Sequence, residues 1–470
     1  MAETRRARLI QLIRTSGALT ALAAPIAGVQ FAQVALTTTD LAVMGLIGVQ
    51  AIAAGGLAAV LYNLMRTMCV GVVTAVGNLV ARAAGQGEAR SGGDWPDEQA
   101  QEEIRHITRS AFLVATGAAV MLGAALIGLG YVLPLFGVDK DVLAHARPMM
   151  IALAPGLIPM VWLNVLRQFS VGMRRPGPLL AVSIASIAVN AGLDFAFIYG
   201  LLGLPKLGLA GIGLATTLVQ VFTVAAFYLI LRRDERLASL LSIDGWNADA
   251  AMARDILRLG FPISLTYGSE AGINSLAAVV MGAFGPIALA AHNVVNQLTR
   301  IAFQVSIGLS HGSSILISRA IGRLDRQQAQ QTANAALVLG WLTTATLAVV
   351  YVAVPNWVLR PFLDPTATAT IVLAKVFLLF AIVQQVVDFT QNIAIGLLRG
   401  IGDTATGLRA TTIGYWIAGV PAMLLLAFPA RLHGPGVWLG MSIGFATTAV
   451  LLLRRFRQDL PRTAPPGSPH

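Results

Sequence analysis

The stretch Gly48–Gly85, GVQAIAAGGLAAVLYNLMRTMCVGVVTAVGNLVARAAG, is repeated later in the chain as Gly285–Gly322, GPIALAAHNVVNQLTRIAFQVSIGLSHGSSILISRAIG. An ungapped shift of 237 residues aligns the two copies with ten identities in 38 positions, and the same shift aligns Pro25 with Pro262. The identical pairs include Gly71 and Gly308, and Arg82 and Arg319. A repeat of this length indicates that the chain contains two copies of one structural module.

The composition of the chain excludes an ordinary water-soluble globular protein. Of its 470 residues, 56% are hydrophobic and only 12% are charged, whereas soluble domains carry about 25% charged residues. The chain is therefore predicted to be an integral membrane protein. A repeated module within such apolar sequence is typical of transporters whose substrate site lies between two related halves.

Twelve apolar segments are long enough to cross a hydrocarbon layer of about 30 Å as α-helices. They are apolar on all sides, whereas the strands of a membrane β-barrel are about ten residues long and alternate in polarity. We therefore predict an all-α integral membrane protein with twelve transmembrane helices in two pseudo-symmetric six-helix lobes. The predicted spans are 15–43, 50–83, 105–133, 141–171, 177–201, 207–232, 257–283, 287–322, 331–357, 368–399, 404–428 and 434–456.

Charge and proline content divide the chain into five predicted regions. An Arg-rich cytoplasmic segment, 1–14, precedes an N-lobe of 15–232. A charged cytoplasmic linker, 233–256, then leads to a C-lobe of 257–456. The final residues, 457–470, are rich in proline and are predicted to form a disordered tail.

The distribution of Lys and Arg predicts the orientation of the chain, because these residues are retained on the cytoplasmic side of helix ends. With the N-terminus inside, 25 of the 33 basic residues are cytoplasmic and only five fall on the opposite face. Both termini are therefore predicted to be cytoplasmic, in a multi-pass protein of the cell (inner) membrane. This topology accounts for the net charge of +11, so no nucleic-acid partner is predicted.

Apart from Asp141, which is the first residue of its span, four acidic residues lie inside the predicted spans: Asp40, Asp194, Glu270 and Asp388. A charged side chain at the middle of a bilayer costs about 2.5–3.5 kcal/mol or more, so such residues are usually functional. Asn190 lies one helical turn before Asp194 and should share its helix face. Depth along the helices predicts that Asp40 and Asp194 form one cluster, and that Glu270 and Asp388 lie together in the second half.

Carboxylates at this depth can exchange a proton or a hard cation with water on the two sides of the membrane, which is the chemistry of a coupling site. A structural alternative is that each acid is paired with Arg66, Arg300 or Lys375. Pro25 predicts a bend in the first helix, because proline removes one backbone hydrogen bond. Such a bend would serve either static packing or a movement coupled to the acids.

Several motifs, distributed along essentially the whole chain, resemble those of one known family. They are Pro25 with Thr39-Asp40 and Gly45; Asn190-Ala191-Gly192-Leu193-Asp194 with Ile198-Tyr199-Gly200; Leu259-Gly260-Phe261-Pro262 with Glu270 and Ala290-Ala291-His292; Asp388 with Gly396-Leu397-Leu398-Arg399-Gly400; and Gly434, Gly436 and Trp438. Together and in this order, they resemble the motifs of the multidrug and toxic compound extrusion (MATE) transporters.

The resemblance implies a twelve-helix antiporter with two lobes and a central cavity that opens alternately to the two sides. Members of this family export organic cations in exchange for protons or sodium ions. The chain is accordingly expected to export organic cations or drugs, to need no cofactor beyond a coupling ion, to contact membrane lipids and to function as a monomer.

The resemblance places coupling residues in both lobes. Asp40, Asn190 and Asp194 match the proton-linked site of the DNA-damage-inducible branch. Glu270 and Asp388 match the second-lobe acids that bind sodium in the norfloxacin-exporter branch. Gln384 replaces the tyrosine that is common one turn before Asp388 in that branch, and its carbonyl oxygen is still a hard ligand. Proton and sodium coupling therefore both stay open.

Two alternatives to an exporter are a lipid flippase and a membrane receptor, and the sequence excludes an enzyme. A lipid-linked precursor flippase of the same superfamily would share the lobed architecture but should line its cavity with cations. A non-transporting membrane receptor would not explain acids in both repeats. Gly308-Leu309-Ser310-His311-Gly312 fits a hydrolase pattern, but that motif needs a strand-to-helix turn and here lies in an apolar helix. The chain is therefore predicted to be a secondary transporter and not an enzyme.

Overall fold

The computed structural model describes residues 2–136, 140–200, 203, 205–242, 248–364 and 366–460. The described residues are almost entirely helical and contain no strand. The helices are α1 (Ala2–Ile47), α2 (Val49–Ser91), α3 (Glu98–Val132), α4 (Lys140–Leu153), α5 (Leu157–Gly172), α6 (Gly177–Tyr199), α7 (Leu209–Arg233), α8 (Glu235–Ala238), α9 (Ala250–Gly282), α10 (Pro286–Gly322), α11 (Arg326–Ala353), α12 (Pro355–Leu359), α13 (Thr368–Ile401), α14 (Ala405–Thr411), α15 (Val420–Ala427) and α16 (His433–Asp459).

These helices confirm the predicted twelve-helix membrane fold. A 3₁₀ turn, Ala154–Gly156, joins α4 to α5, and a π-helical turn, Thr412–Gly419, joins α14 to α15, so each pair makes one long segment. Eleven of the twelve segments are long and apolar enough to cross a membrane. The twelfth is α9, which is long enough but carries polar residues, including Ser269, Glu270 and Asn274, in its middle.

Several helices extend beyond their predicted ends. The predicted N-terminal segment 1–14 belongs to α1 from Ala2 onward. The predicted linker 233–256 contains the short helix α8, and α9 already begins at Ala250, while residues 243–247 lie outside the described part. The predicted tail 457–470 continues α16 as far as Asp459, and its residues beyond 460 also lie outside that part.

The connection between α2 and α3 is held by a charged helix cap. Asp97 accepts hydrogen bonds from the Arg90 guanidinium, with N–O distances of 2.6 and 2.9 Å, and from the Ala100 amide at 3.0 Å. The bond with Arg90, and then the bond with the Ala100 amide, lower the pKa of the Asp97 carboxyl to about 2. The ionised side chain therefore both caps α3 and ties it to the end of α2.

Replacing Asp97 with alanine should lower the melting temperature of the purified protein. Because the folded pKa lies below the usual value of about 3.9, this contribution to stability is present above about pH 4 and is lost as the pH falls toward 2. In detergent, the melting temperature of the variant should lie below that of the wild type by the same amount at neutral pH and just above pH 4. Asp94→Ala, an exposed acid in the same connection, is the control and should melt like the wild type. An equal effect of both variants would contradict the assignment.

Contacts divide the chain into two compact units. One comprises Gly28–Ser264, and the other comprises the described residues up to Ala27 together with those from Leu265 onward. The predicted lobes were 15–232 and 257–456. The units differ from these lobes in the assignment of two helix beginnings, those of α1 and α9. The beginning of α1 packs with the C-terminal helices, and the beginning of α9 packs with the N-terminal helices.

The two boundaries lie at equivalent positions of the internal repeat. Ala27 and Ser264 are separated by the same 237 residues as Pro25 and Pro262. Each unit therefore contains the beginning of the first helix of the other repeat. The helix α1 passes from one unit to the other two residues after Pro25, and α9 does so two residues after Pro262. Because proline cannot donate a backbone hydrogen bond, a helix bends most readily at this point.

Repeated glycines receive these exchanged helix beginnings. A Cβ atom on Gly71 of α2 would lie 2.5 Å from the Cα atom of Ser264 in α9. Its repeat partner, Gly308 of α10, meets α1, where a Cβ atom would lie 2.6 Å from the carbonyl oxygen of Ala23 and 2.9 Å from the Cβ atom of Ala27. Ala27 is the repeat partner of Ser264, so the same crossing occurs in both units. The identical glycines therefore mark backbone contacts between helices that leave no room for a side chain.

Candidate functional site

One hydrogen-bonded cluster contains the three acidic-site residues predicted in the first repeat. The Asn190 amide of α6 donates to Asp40 Oδ1 of α1 at 2.6 Å and to Asp194 Oδ2, one turn along α6, at 2.9 Å. Both carboxyl groups therefore lie within hydrogen-bond distance of the same nitrogen atom. Asn190 and Asp194 are fully buried and Asp40 is half-buried. We call Asp40, Asn190 and Asp194 the first acidic cluster.

The first acidic cluster has negative charge without a cationic partner. Among the described residues, no Lys or Arg lies within ion-pair distance of Asp40 or Asp194. Arg66, a candidate partner in the sequence, instead donates to Asn63 Oδ1 at 3.1 Å. Asp194 Oδ1 and Asn190 Oδ1 are buried without a hydrogen-bond partner in the described chain. The cluster therefore has unused acceptor atoms for a proton or another positive group.

A polar cavity lies within the same unit, about one to two helical turns from the cluster along α1, α6 and α7. The centre of a water molecule can move within a volume of about 30 Å³ in this cavity. The cavity is therefore large enough to hold water. Its polar lining includes hydroxyl, amide and guanidinium groups, which are buried except for that of the half-buried Gln33. These belong to Gln33, Asn164, Arg167, Ser183, Ser186, Gln220 and Thr223. Water in this cavity would approach the first acidic cluster from the basic end of the helices, where Arg232 and Arg233 end α7.

The two acids predicted in the second repeat form an electrostatically linked pair. Glu270 lies on α9 and Asp388 on α13, both half-buried, and Glu270 lies within electrostatic range of Asp388 and of Arg300 of α10. No salt bridge at 4.0 Å or less joins Arg300 to either acid among the described residues. We call Glu270 and Asp388 the second acidic pair. It differs from the first acidic cluster because a positive charge, that of Arg300, acts on one of its acids, Glu270.

Gln384, the third residue predicted for the second repeat, is buried one turn before Asp388. Its side-chain oxygen has no hydrogen-bond partner in the described chain, and no hydrogen bond joins it to either acid there. The direct partner of Asp388 is Gln391, whose amide donates to Asp388 Oδ1 at 2.9 Å and to the Tyr415 hydroxyl at 2.8 Å. Neither Gln391 nor Tyr415 was predicted from the sequence. The spacing of three residues from Asp388 pointed to Gln391, whereas Tyr415 lies in a different helix and had no such signal.

The amino-acid sequence matches a known protein family over both repeats. The MatE family model matches residues 25–196 and 262–425, so each matched segment begins at one of the two repeated prolines. The chain is 35% identical over 452 residues to the probable multidrug resistance protein NorM of Pseudomonas aeruginosa, which covers 95% of this chain and 90% of the relative. It is 34% identical over 439 residues to the probable multidrug resistance protein NorM of Bradyrhizobium diazoefficiens, and this match covers 93% of this chain and 92% of the relative.

A solved structure has the same fold over nearly the whole chain. The crystal structure of the eukaryotic MATE transporter AtDTX14 matches with a TM-score of 0.80, covering 96% of this chain and 99% of that one. The sequence identity in this match is 19%, so the likeness concerns the fold alone. The family match, however, extends through both acidic sites. The chain belongs to the MatE family, the multidrug and toxic compound extrusion (MATE) transporters.

Proposed function

We propose that the chain is a proton-coupled exporter of organic cations that works by alternating access in the cell (inner) membrane, with both termini in the cytoplasm. The observation that carries the proposal is the single amide of Asn190, which bridges the carboxyl groups of Asp40 and Asp194. Relatives named as multidrug resistance proteins support drugs as the substrates. The fold needs only one chain, and we propose a functional monomer.

The first acidic cluster can make a proton and an organic cation compete for the same charge. When both carboxyl groups are ionised, they repel each other across a short distance and attract a cation. When one carboxyl group binds a proton, its O–H can donate to the other, so the repulsion and half of the charge disappear. A proton that arrives from the side of higher proton concentration therefore favours release of the drug on that side.

Pro25 is the proposed hinge that connects protonation to movement of α1. It lies four turns before Asp40 on the same helix, and the helix changes from one compact unit to the other just after it. Because the Pro25 nitrogen cannot donate to the carbonyl of Ala21, the helix has one weak point there. A change in the charge of Asp40 alters its bonds to α6 and can therefore change the bend of α1.

The second acidic pair is the alternative coupling site, with sodium as the ion. Glu270, Asp388 and Gln384 offer oxygen atoms, the ligand type that hard cations prefer. The positive charge of Arg300 acts on Glu270, whereas no positive charge acts on either acid of the first acidic cluster among the described residues. We therefore assign coupling to the first cluster, and a sodium gradient is the test of the second.

The proposal is tested with liposomes that contain the purified protein and a fluorescent organic cation, ethidium, outside. A lumen more acidic than the medium should drive ethidium uptake above that of protein-free liposomes, because protons leave in exchange for the drug. An imposed sodium gradient without a pH gradient should drive no uptake. Addition of a protonophore should collapse the accumulated ethidium, since it removes the driving force.

The alternative results point to different functions. Uptake driven only by sodium would contradict the assignment to Asp40 and Asp194 and favour Glu270 and Asp388. No uptake under either gradient, with the protein shown to be folded by its melting curve, would overturn the exporter proposal. Scrambling of a fluorescent lipid-linked phosphate in the same vesicles would then favour the flippase.

A further inference from the structure

Buried polar side chains continue from the first acidic cluster along one face of α6. Four of them follow one another at intervals of three, four and four residues, which places them on the same face of the helix. They are Ser183, Ser186, Asn190 and Asp194. The two serines line the polar cavity, and the other two residues belong to the cluster. This face is therefore polar from the cavity to the acids.

The cavity covers most of the distance between the cluster and the basic end of α6. Leu179 lines the cavity and is the third residue of this helix, which begins just after Arg174 and Arg175. At a rise of about 1.5 Å per residue, the stretch from Leu179 to Asn190 is about 16 Å long. Lining residues occur along this stretch as far as Ser186, one turn before Asn190. One helical turn therefore separates the cavity from the cluster.

The hydroxyl groups of the cavity can accept hydrogen bonds from water. Ser183 Oγ donates to the carbonyl oxygen of Leu179 at 2.8 Å, and Ser186 Oγ donates to that of Ser183 at 2.7 Å. Thr223 Oγ1 of α7 donates to the carbonyl oxygen of Val219 at 2.6 Å. Each hydroxyl proton is thus used within its own helix, while the oxygen can still accept a further bond. Buried water needs roughly two to four polar partners, and these oxygen atoms supply them.

The charge and the size of the cavity favour water over a larger cation. Among the described residues, Arg167 of α5 is the only charged residue that lines it. A positive charge in a narrow passage opposes the entry of metal ions and cationic drugs. The volume of about 30 Å³ for the centre of a water molecule is also too small for an organic cation. A proton, in contrast, can pass along hydrogen-bonded water molecules without any single ion occupying the cavity.

We propose that this cavity is the route by which the proton leaves the first acidic cluster for the cytoplasm. A carboxyl group of the cluster gives its proton to water in the cavity and becomes a carboxylate. The proton then passes to water at the basic ends of the helices, which face the cytoplasm in the proposed orientation. All lining residues belong to the unit Gly28–Ser264, so the proton has a route inside this unit that the larger drug cannot use.

The inference rests on the proposed function in taking Asp40 and Asp194 as the groups that bind the proton. Filling the cavity should then slow transport and leave the cluster intact. Ser186→Leu should reduce the initial rate of pH-driven ethidium uptake by about tenfold, because proton release becomes the slow step. Equilibrium binding of ethidium in detergent should stay at the wild-type value. Ala185→Leu, which adds the same side chain at an exposed position of the same helix, is the matched control and should transport like the wild type.

A second variant dries the cavity without adding bulk. Ser183→Ala combined with Thr223→Val removes two of the hydroxyl oxygens, and apolar cavities stay dry. Uptake should therefore slow as it does for Ser186→Leu. This variant tests the route even where a leucine at position 186 prevents folding, which the melting curve of that protein would reveal.

A chemical probe measures the access of water independently of transport. Cys69, the only cysteine of the chain, is buried and is first replaced with alanine. In the folded protein, Ser186→Cys should then react with methyl methanethiosulfonate, because a thiol in contact with water ionises to the reactive thiolate more readily than one in apolar surroundings. Ser310→Cys is the control, since Ser310 is also buried but packs closely against Gly396. It should react only after unfolding, and mass spectrometry counts the modified protein.

The two measurements separate this route from the proposed function. Wild-type uptake rates in both cavity variants, or equal reactivity of Ser186→Cys and Ser310→Cys in the folded protein, would overturn the route. Absence of pH-driven uptake in the wild type would contradict the proposed function instead. The thiol reaction would then still decide whether water reaches the cavity, and an unreactive Ser186→Cys would overturn the route in that case too.

Discussion

Asp194→Asn should reduce ethidium uptake driven by a pH gradient to the level of protein-free liposomes, while the protein still folds and binds ethidium. Asparagine has the same shape and can still bond to Asn190, but it cannot carry a negative charge or exchange a proton. The binding of ethidium should therefore lose most of its dependence on pH. Both quantities can be measured on the same purified sample, by flux in liposomes and by equilibrium binding in detergent.

Asp40→Asn should have the same effect, and the double variant should be no worse than either single one. The physical reason is that the two carboxyl groups and the Asn190 amide act as one site, and effects within one site are not additive. Asp364→Asn is the control and should transport like the wild type. Asp364 is an exposed acid in the connection after α12, and its carboxylate accepts hydrogen bonds from Thr366, two residues later. Independent, additive losses from Asp40 and Asp194 would contradict the shared site.

Gly260→Ala should cause a large loss of folded protein, although the substitution adds a single methyl group. A Cβ atom on Gly260 of α9 would lie 2.0 Å from the carbonyl oxygen of Val72 and 2.7 Å from its carbonyl carbon in α2. These are backbone atoms, so the clash is relieved only if the two helices separate. Overpacking of this kind costs about 1–3 kcal/mol, and thermal unfolding in detergent should show a clearly lower midpoint.

Gly268→Ala is the matched control, because Gly268 lies two turns further along the same helix and a Cβ atom there has nothing within 4 Å. Alanine favours a helix over glycine by about 0.5–1 kcal/mol, so this variant should melt at or slightly above the wild-type temperature. Gly71→Ala, on the other side of the crossing, should be destabilised like Gly260→Ala. Similar melting curves for Gly260→Ala and Gly268→Ala would show that the crossing does not contribute to stability.

The first acidic cluster was predictable because two of its members share a helix. Asn190 and Asp194 are one turn apart, and the only acid of the first predicted span, Asp40, reaches the same depth. The hydrogen bonds from Asn190 to both acids agree with that prediction. The second acidic pair was predictable by the same argument of depth, and its charges do interact.

The partners of the second acidic pair were only partly predictable. Gln384 was chosen because it lies one turn before Asp388, yet the residue that bonds to Asp388 lies one turn after it, at Gln391. Both spacings place a side chain on the same face of a helix, so periodicity alone cannot choose between them. Tyr415 depends on a π-helical turn and on the packing of another helix, and neither has a distinct signature in the amino-acid pattern.

The sequence by itself determined the class of this protein, its two repeated modules, its twelve helices and its buried acids, because length, polarity and repetition are properties of the chain alone. Only the tertiary structure decided that α1 and α9 exchange their beginnings between the two units, and which side chains complete each acidic site. A membrane span must be apolar whichever helix it packs against, so its composition carries little information about its neighbours. That choice is made by close backbone contacts, such as those of Gly71 and Gly308, and it becomes visible only when both helices are in place.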